Sequence, residues 1–155
     1  MAIFFGSYEN KIDRKGRVSV PAPFRQALAS QPVPRIVAFC SFRADAIEAS
    51  STDFMEDLKE SLNSKDLFSD EHDHLATAIF ASCFELPFDA EGRIILPSVL
   101  TEHAGISDRA AFVGKGQFFQ IWNPEALHRH IEDARARARS QGLTLKLRSK
   151  NGGGE

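Results

Sequence analysis

Four cations fall within seven residues, Lys11, Arg14, Lys15 and Arg17, and that density is the chemistry of holding an anion. An arginine forks two N–H donors onto a phosphate or a guanine edge, whereas a lysine is a point charge suited to backbone phosphate. Asp13 lies among these cations, and its Asp-x-x-Gly-Arg string recurs as Asp89, Gly92 and Arg93. Two aspartates brought together by an internal twofold would suit a carboxylate dyad sharing one proton. Each, however, has an arginine four residues on, whose charge keeps the carboxylate ionised, and a shared proton needs the opposite. No Ser-His-Asp or Cys-His arrangement has a recognisable local signature, so no enzyme is expected. His72 and His74 are two residues apart, which on a helix sends them to different faces, while metal-binding pairs favour three or four. No metal and no cofactor are expected. Gly114-Lys-Gly lacks the rest of a phosphate-binding loop and reads as a hairpin turn.

The cation cluster belongs to a duplicated unit. Tyr8 to Arg25, YENKIDRKGRVSVPAPFR, returns 76 residues later at Phe84 to Thr101 as FELPFDAEGRIILPSVLT. Glu9 falls on Glu85, Asp13 on Asp89, Gly16 on Gly92, Arg17 on Arg93 and Pro21 on Pro97. Apolar positions match too: Ile12 with Phe88, Val18 with Ile94, Val20 with Leu96, Phe24 with Leu100. A fixed register over this length is an internal repeat. Each copy reads as strand, tight turn, strand: Asp caps the turn through its carboxylate, Gly takes a positive φ, and a β-branched run follows until proline stops it. Asp13, Gly16, Asp89 and Gly92 are therefore the turn-structuring residues. A short helix follows each proline, the second capped by Gly105.

The two copies differ in charge. Glu9 to Arg25 holds five basic and two acidic residues, Glu85 to Thr101 one basic and three acidic. Residues 45–75 hold ten acids and two lysines, residues 126–150 seven basic residues and two acids, so the net charge of −2 conceals strong segregation. A polyanion can bind one face of such a chain. At 155 residues with 13 Phe and 43% hydrophobic content, the chain can bury a sizeable core. The N-terminus lacks a basic, then long apolar, signal pattern, and no apolar run reaches the roughly 18 residues of a membrane span. Cys40 and Cys83 have neither CxxC nor zinc-type spacing and point to a reduced, cytoplasmic setting.

Between the repeats, Arg35 to Cys40 reads as a buried strand with a partner at Ala46 to Ala49. Ser51 or Thr52 caps a helix to Leu62 whose buried face is Phe54, Leu58 and Leu62. Residues 63–70 read as a polar link, and a second helix as running from about Glu71 to Cys83. In the second half Ala110 to Val113 and Gln117 to Trp122 form a hairpin. Asn123-Pro-Glu then starts a helix with a stripe of Leu127, Ile131, Ala134 and Ala138, its arginines facing elsewhere. Residues 141–155 are expected to be a largely disordered tail.

Phe5-Gly-x-Tyr, the paired Asp-x-x-Gly-Arg turns followed by proline, and Ile121-Trp-Asn-Pro together resemble the MraZ family, over roughly residues 3–140. The resemblance implies an α+β, mainly β fold: two tandem SpoVT-AbrB-like swapped-hairpin units interlocked into one pseudo-twofold, β-barrel-like body with peripheral helices. The units would span 3–62 and 63–140. It further implies a ring-shaped homo-oligomer, nucleoid-associated in the cytoplasm. The ring would bind promoter repeats of double-stranded DNA and regulate a division and cell-wall gene cluster, usually as a repressor. The resemblance places the DNA-contacting surface on the turns Asp13 to Arg17 and Asp89 to Arg93. The cations on and beside the first turn, Lys11, Arg14, Lys15 and Arg17, are the candidate contacts on their own chemistry, with Arg93 at a secondary site, because the second copy has Ala90 and Glu91 where the first has Arg14 and Lys15. The competing expectation is an antitoxin-like protein-interaction module that uses its acidic segment to bind a basic partner.

Overall fold

A computed structural model describes residues 3–148. In chain order the elements are β1 (Ser7–Lys11), β2 (Arg17–Ser19), α1 (Ala22–Leu28), β3 (Arg35–Cys40), β4 (Ile47–Ser50), α2 (Thr52–Leu62) and α3 (Asp70–Ala76). A π-helical turn (Thr77–Ala81) leads into β5 (Phe84–Pro87), β6 (Arg93–Ile95), α4 (Ser98–Ala104), β7 (Arg109–Gly114), β8 (Phe119–Trp122) and α5 (Pro124–Ser140).

Six strands form one antiparallel sheet in the order β1-β7-β8-β4-β3-β5, and β2 pairs with β6 in a separate two-stranded ribbon. The pairing is swapped. The strand before each turn joins the other half's hairpin, β1 on β7 and β5 on β3, while β3–β4 and β7–β8 are hairpins within their own halves. Exchanging the halves reverses the strand order without altering it, so a pseudo-twofold passes between β4 and β8 and between β2 and β6. The fold is thus the α+β, mainly β, interlocked swapped-hairpin architecture. The sheet is open between β1 and β5, and the ribbon, lying against β1 through β2 and against β5 through β6, spans the opening.

The apolar positions shared by the two repeats become common core. Val18 and Ile94, Val20 and Leu96, and Phe24 and Leu100 are all buried in one cluster. Phe24 from the first half meets Phe119 from the second with ring centroids 4.9 Å apart, and Phe4 packs against both at 5.4 and 5.0 Å. Phe4 is anchored by backbone bonds to Gly116 in both directions, 2.7 and 2.9 Å, while its neighbours Ile3 and Phe5 stay exposed.

Several elements depart from the periodicity. In α2 the buried residues are Met55 and Leu62, and Phe54 and Leu58 are half-buried, because these two line an apolar cavity rather than the central core. The single helix expected to Cys83 is instead α3 followed by a π turn, which packs Ile79 and Phe80 beside Val37, Phe39 and Met55. Ser51 does cap α2, accepting from the Phe54 N–H at 3.2 Å, and Gly105 ends α4.

The described residues fall into two compact units, the body ending at Pro124 and a second beginning at Glu125. Within α5 only Leu127 is buried, and Ala134 and Ala138 of the expected stripe are exposed. Alanines offer little area to bury, and beyond Ile131 the helix is charged, with Arg137 and Asp133 paired at 2.9 Å. Of the expected tail, residues 141 and 142 form a turn and 143–148 have no regular secondary structure, all of them exposed; residues 149–155 lie outside the described residues. Among the described residues no helix is long and apolar enough to cross a membrane.

A side chain at Gly114 would run into the backbone of Phe4 and Phe5. Gly114→Ala must push the N-terminal segment away, and overpacking of this kind costs about 1–3 kcal/mol. The expected result is a lower urea midpoint with an unchanged slope, measured by circular dichroism.

Candidate nucleic-acid interface

Each Asp-x-x-Gly-Arg turn is organised around its aspartate. The Asp13 N–H donates to the Arg17 carbonyl at 3.0 Å, and the Gly16 N–H donates to the Asp13 carbonyl at 3.0 Å. The carboxylate completes the turn: Oδ1 accepts from the Lys15 and Arg17 N–H groups, both at 2.9 Å, and Oδ2 from Arg17 Nε at 2.6 Å. The second copy repeats the set, with Glu91 and Arg93 N–H groups at 2.9 Å from Asp89 Oδ1 and Arg93 Nε at 2.8 Å from Oδ2. Gly16 and Gly92 have φ of 80° and 76°, a region costly for any residue with a Cβ.

The Arg17 backbone N–H, with the Arg17 side chain and the Lys15 N–H, holds the Asp13 carboxyl below its ordinary value of 3.8 against a smaller opposing effect of desolvation. The Arg93 backbone N–H does the same for Asp89, and the Asp89 side-chain bond in turn raises Arg93. Both carboxylates are thereby committed to the ionised form, which is incompatible with a proton-sharing dyad.

The ribbon joins the two turns. Its register sets Arg17 opposite Ile95, Val18 opposite Ile94 and Ser19 opposite Arg93. Side chains alternate across a strand, so with Val18 and Ile94 buried, Arg17, Ser19, Arg93 and the exposed Ile95 share the other face. Each turn is also tied to the opposite half, since the Val20 N–H donates to the Gly92 carbonyl at 3.2 Å and the Leu96 N–H to the Gly16 carbonyl at 3.0 Å. The turns therefore stand at opposite ends of the ribbon, roughly 13 Å apart at 3.4 Å per residue.

The charge on this symmetric frame is lopsided. Arg14 and Lys15 are exposed on the first turn, and Lys11 is exposed at the end of β1, opposite Arg109 of β7. The corresponding second-copy residues are Ala90, Glu91 and Pro87. Arg17 and Arg93 both brace their turns through Nε, which still leaves a guanidinium its terminal edge for an anion. At Arg93 that edge is partly diverted, because Nη2 lies 3.5 Å from Glu91. One cation escapes a reading along the chain. Arg25, on α1, donates from Nε to the Val20 carbonyl at 3.1 Å and packs over Gly92, where a Cβ would meet its Nη1 at 2.7 Å. The first copy thus lends a guanidinium to the second turn, whose own matching residue is Thr101. The only linear signal for it is the basic residue four positions past Pro21, and its destination depends on the swap.

A family model described as MraZ protein, antitoxin-like, matches residues 3–45 and 79–147. Proteins named transcriptional regulator MraZ are similar over nearly the whole chain. The one from Rickettsia akari is 40% identical over 146 residues, 94% of this chain and 98% of that protein. The one from Gluconacetobacter diazotrophicus is 42% identical over 155 residues, 98% of each. The one from Rickettsia bellii is 42% identical over 147 residues, 94% of this chain and 98% of that protein.

A carboxyl held low in the folded state stabilises it above the unfolded-state pKa, and the contribution is lost as pH falls through the folded value. Unfolding followed from pH 7 to pH 2 should lose stability from about pH 4 downward. The Asp13→Asn/Asp89→Asn double variant should be less stable at pH 7 and show a shallower acid limb.

Proposed function

Because the chain belongs to the MraZ family, we propose that it is a transcriptional regulator that binds double-stranded promoter DNA through the ribbon and its two turns. Lys11, Arg14, Lys15 and Arg17 make the principal contacts, Arg93 a secondary one, and Arg25 supplies the second turn with the cation its own copy lacks. The observation that carries this reading is the exposed ribbon face with cations at both ends. A two-stranded ribbon fits a major groove about 12 Å wide, where arginine reads guanine and lysine neutralises phosphate. Asp13 serves the same end indirectly by holding Arg17 in place.

One protomer with this few cations releases few counterions and binds weakly. Repetition around a ring raises avidity without any new contact, provided the DNA sites are spaced to match. We therefore extend the proposal to a ring of protomers on promoter repeats, repressing a division and cell-wall gene cluster, in the cytoplasm at the nucleoid. The two repeat units, 3–62 and 63–140, are proposed to contribute unequally to DNA. The antitoxin-like alternative draws on the acidic stretch 45–75; a purified protein that ignored its own promoter and kept a specific basic protein partner would favour it.

A gel shift with the DNA upstream of the chain's own gene, run across a salt series beside a scrambled control, tests the assignment. Arg14→Ala and Arg17→Ala are each expected to weaken specific binding by roughly 5- to 150-fold, the equivalent of about 1–3 kcal/mol. Lys15→Ala should weaken all sequences evenly and reduce the salt slope by about one. If Arg14→Ala and Arg17→Ala both left affinity and salt dependence unchanged, the ribbon face would not be the DNA site.

A further inference from the structure

Ile95 is out of keeping with the face it stands on. Its neighbours in the chain, Ile94 and Leu96, are buried, yet Ile95 itself is 59% exposed on the side of the ribbon that carries Arg17 and Arg93. Single exposed apolar side chains are common on any surface, so its position matters more than its exposure. Although it belongs to the second copy, the register sets it opposite Arg17, and its Cγ2 lies 3.8 Å from where a Cβ on Gly16 would stand. An apolar side chain from one half is thus held against the basic turn of the other.

The Leu96 N–H donates to the Gly16 carbonyl, and the Val20 N–H to the Gly92 carbonyl. Antiparallel pairs alternate in kind, so the pairs next in line, Arg17 with Ile95 and Ser19 with Arg93, are the non-hydrogen-bonded ones, whose Cβ atoms stand closest, about 5 Å apart. Successive base pairs follow one another at about 3.4 Å. A base pair read by Arg17 therefore has a neighbour within reach of Ile95. Along the major groove every base pair offers hydrogen-bonding groups, and the C5-methyl of thymine is the apolar exception. An isoleucine gains by burying that methyl, whereas against the amino group of cytosine it strips water from a donor without replacing the bond.

The repeat sharpens the contrast. The first copy has Ser19 where the second has Ile95, and Ser19 is exposed opposite Arg93. A serine hydroxyl donates or accepts and so suits any base. The pseudo-twofold thereby places an Arg-Ile pair at the strongly basic end of the ribbon and an Arg-Ser pair at the other. We propose that Ile95 is a specificity-determining residue, packing on the C5-methyl of a thymine beside the base pair that Arg17 reads. The basic end of the ribbon then selects thymine at that position, and the Arg93 end does not. This inference rests on the DNA reading above and adds a base preference to it.

The test compares the promoter duplex with the same duplex carrying deoxyuridine for every thymidine, which removes the C5-methyls and keeps the base pairing. Wild type should bind the uracil duplex more weakly, by about fourfold for each contacted methyl, the factor that burying one such group supplies. The ratio should hold across a salt series, because an apolar contact releases no counterion. Ile95→Ser, which copies the residue at the matching position of the other half, should bind both duplexes alike, and Ile95→Val should keep most of the preference. Wild type that prefers its promoter to a scrambled duplex but binds the thymine and uracil forms equally overturns the role of Ile95 and leaves the DNA reading standing. An Ile95→Ser variant as sensitive to the exchange as wild type also overturns it, since the methyl is then read elsewhere. So does an Ile95→Ser variant that sediments as a different assembly from wild type, which would place Ile95 in a contact between copies. Wild type that ignores its promoter altogether overturns both readings.

Discussion

The structure depends on a backbone debt that neither half can settle alone. β1 and β5 leave their turns without a full partner in their own half, and an unpaired buried N–H or C=O costs about as much as a lost hydrogen bond. Each debt is discharged on the opposite hairpin, β1 on β7 and β5 on β3. The ribbon repeats the exchange at the turns, where Gly16 and Gly92 carbonyls accept from Leu96 and Val20 of the other copy. The aromatic cluster of Phe4, Phe24 and Phe119 then buries side chains from both halves against one another. Folding is thereby made a property of the pair.

That interlock is what gives the charged face its geometry. A free hairpin turn with several cations would splay, because like charges repel and long side chains keep their entropy. Here each turn is closed by an aspartate with three bonds to it from N–H groups, and two of these come from the arginine, through its backbone N–H and its Nε. The same contact that steadies the turn fixes the guanidinium through Nε and leaves its terminal edge unengaged by Asp13, so bracing the turn does not bar Arg17 from an anion. The pseudo-twofold supplies two such brackets at a fixed separation, while the sequence difference between copies makes one end of the ribbon more cationic than the other. Arg25 partly evens the two ends by reaching from the first half over Gly92.

Local structure was largely legible along the chain. The run from Arg35 to Cys40 is the whole of β3, Ser51 caps α2, Gly105 ends α4, and the two turns stand where Asp and Gly recur. These features are set by neighbours a few residues apart, through capping, φ preference and β-branching. The misses share the opposite character. Met55 replaces Phe54 and Leu58 on the buried face of α2 because the latter pair line the cavity. The π turn at Thr77–Ala81 answers to packing against β3 and α2, and the small Ala134 and Ala138 carry no force that would bury them.

The sequence by itself determined the repeat, the strand-turn-strand unit within it, the cation count of each copy and the carboxylates' commitment to arginine. Such facts follow from short-range stereochemistry and from residue identity. Only the tertiary structure decided which strand partners which, that both turns share one ribbon, that Arg25 serves the turn of the other copy, and that Phe54 and Leu58 line an apolar cavity. The physical reason is that a strand's alternation declares its faces but not its edges. Its hydrogen-bonding groups are identical at every residue, so partner choice is settled by which closure buries the most side chain, a quantity that exists only once the whole chain has come together.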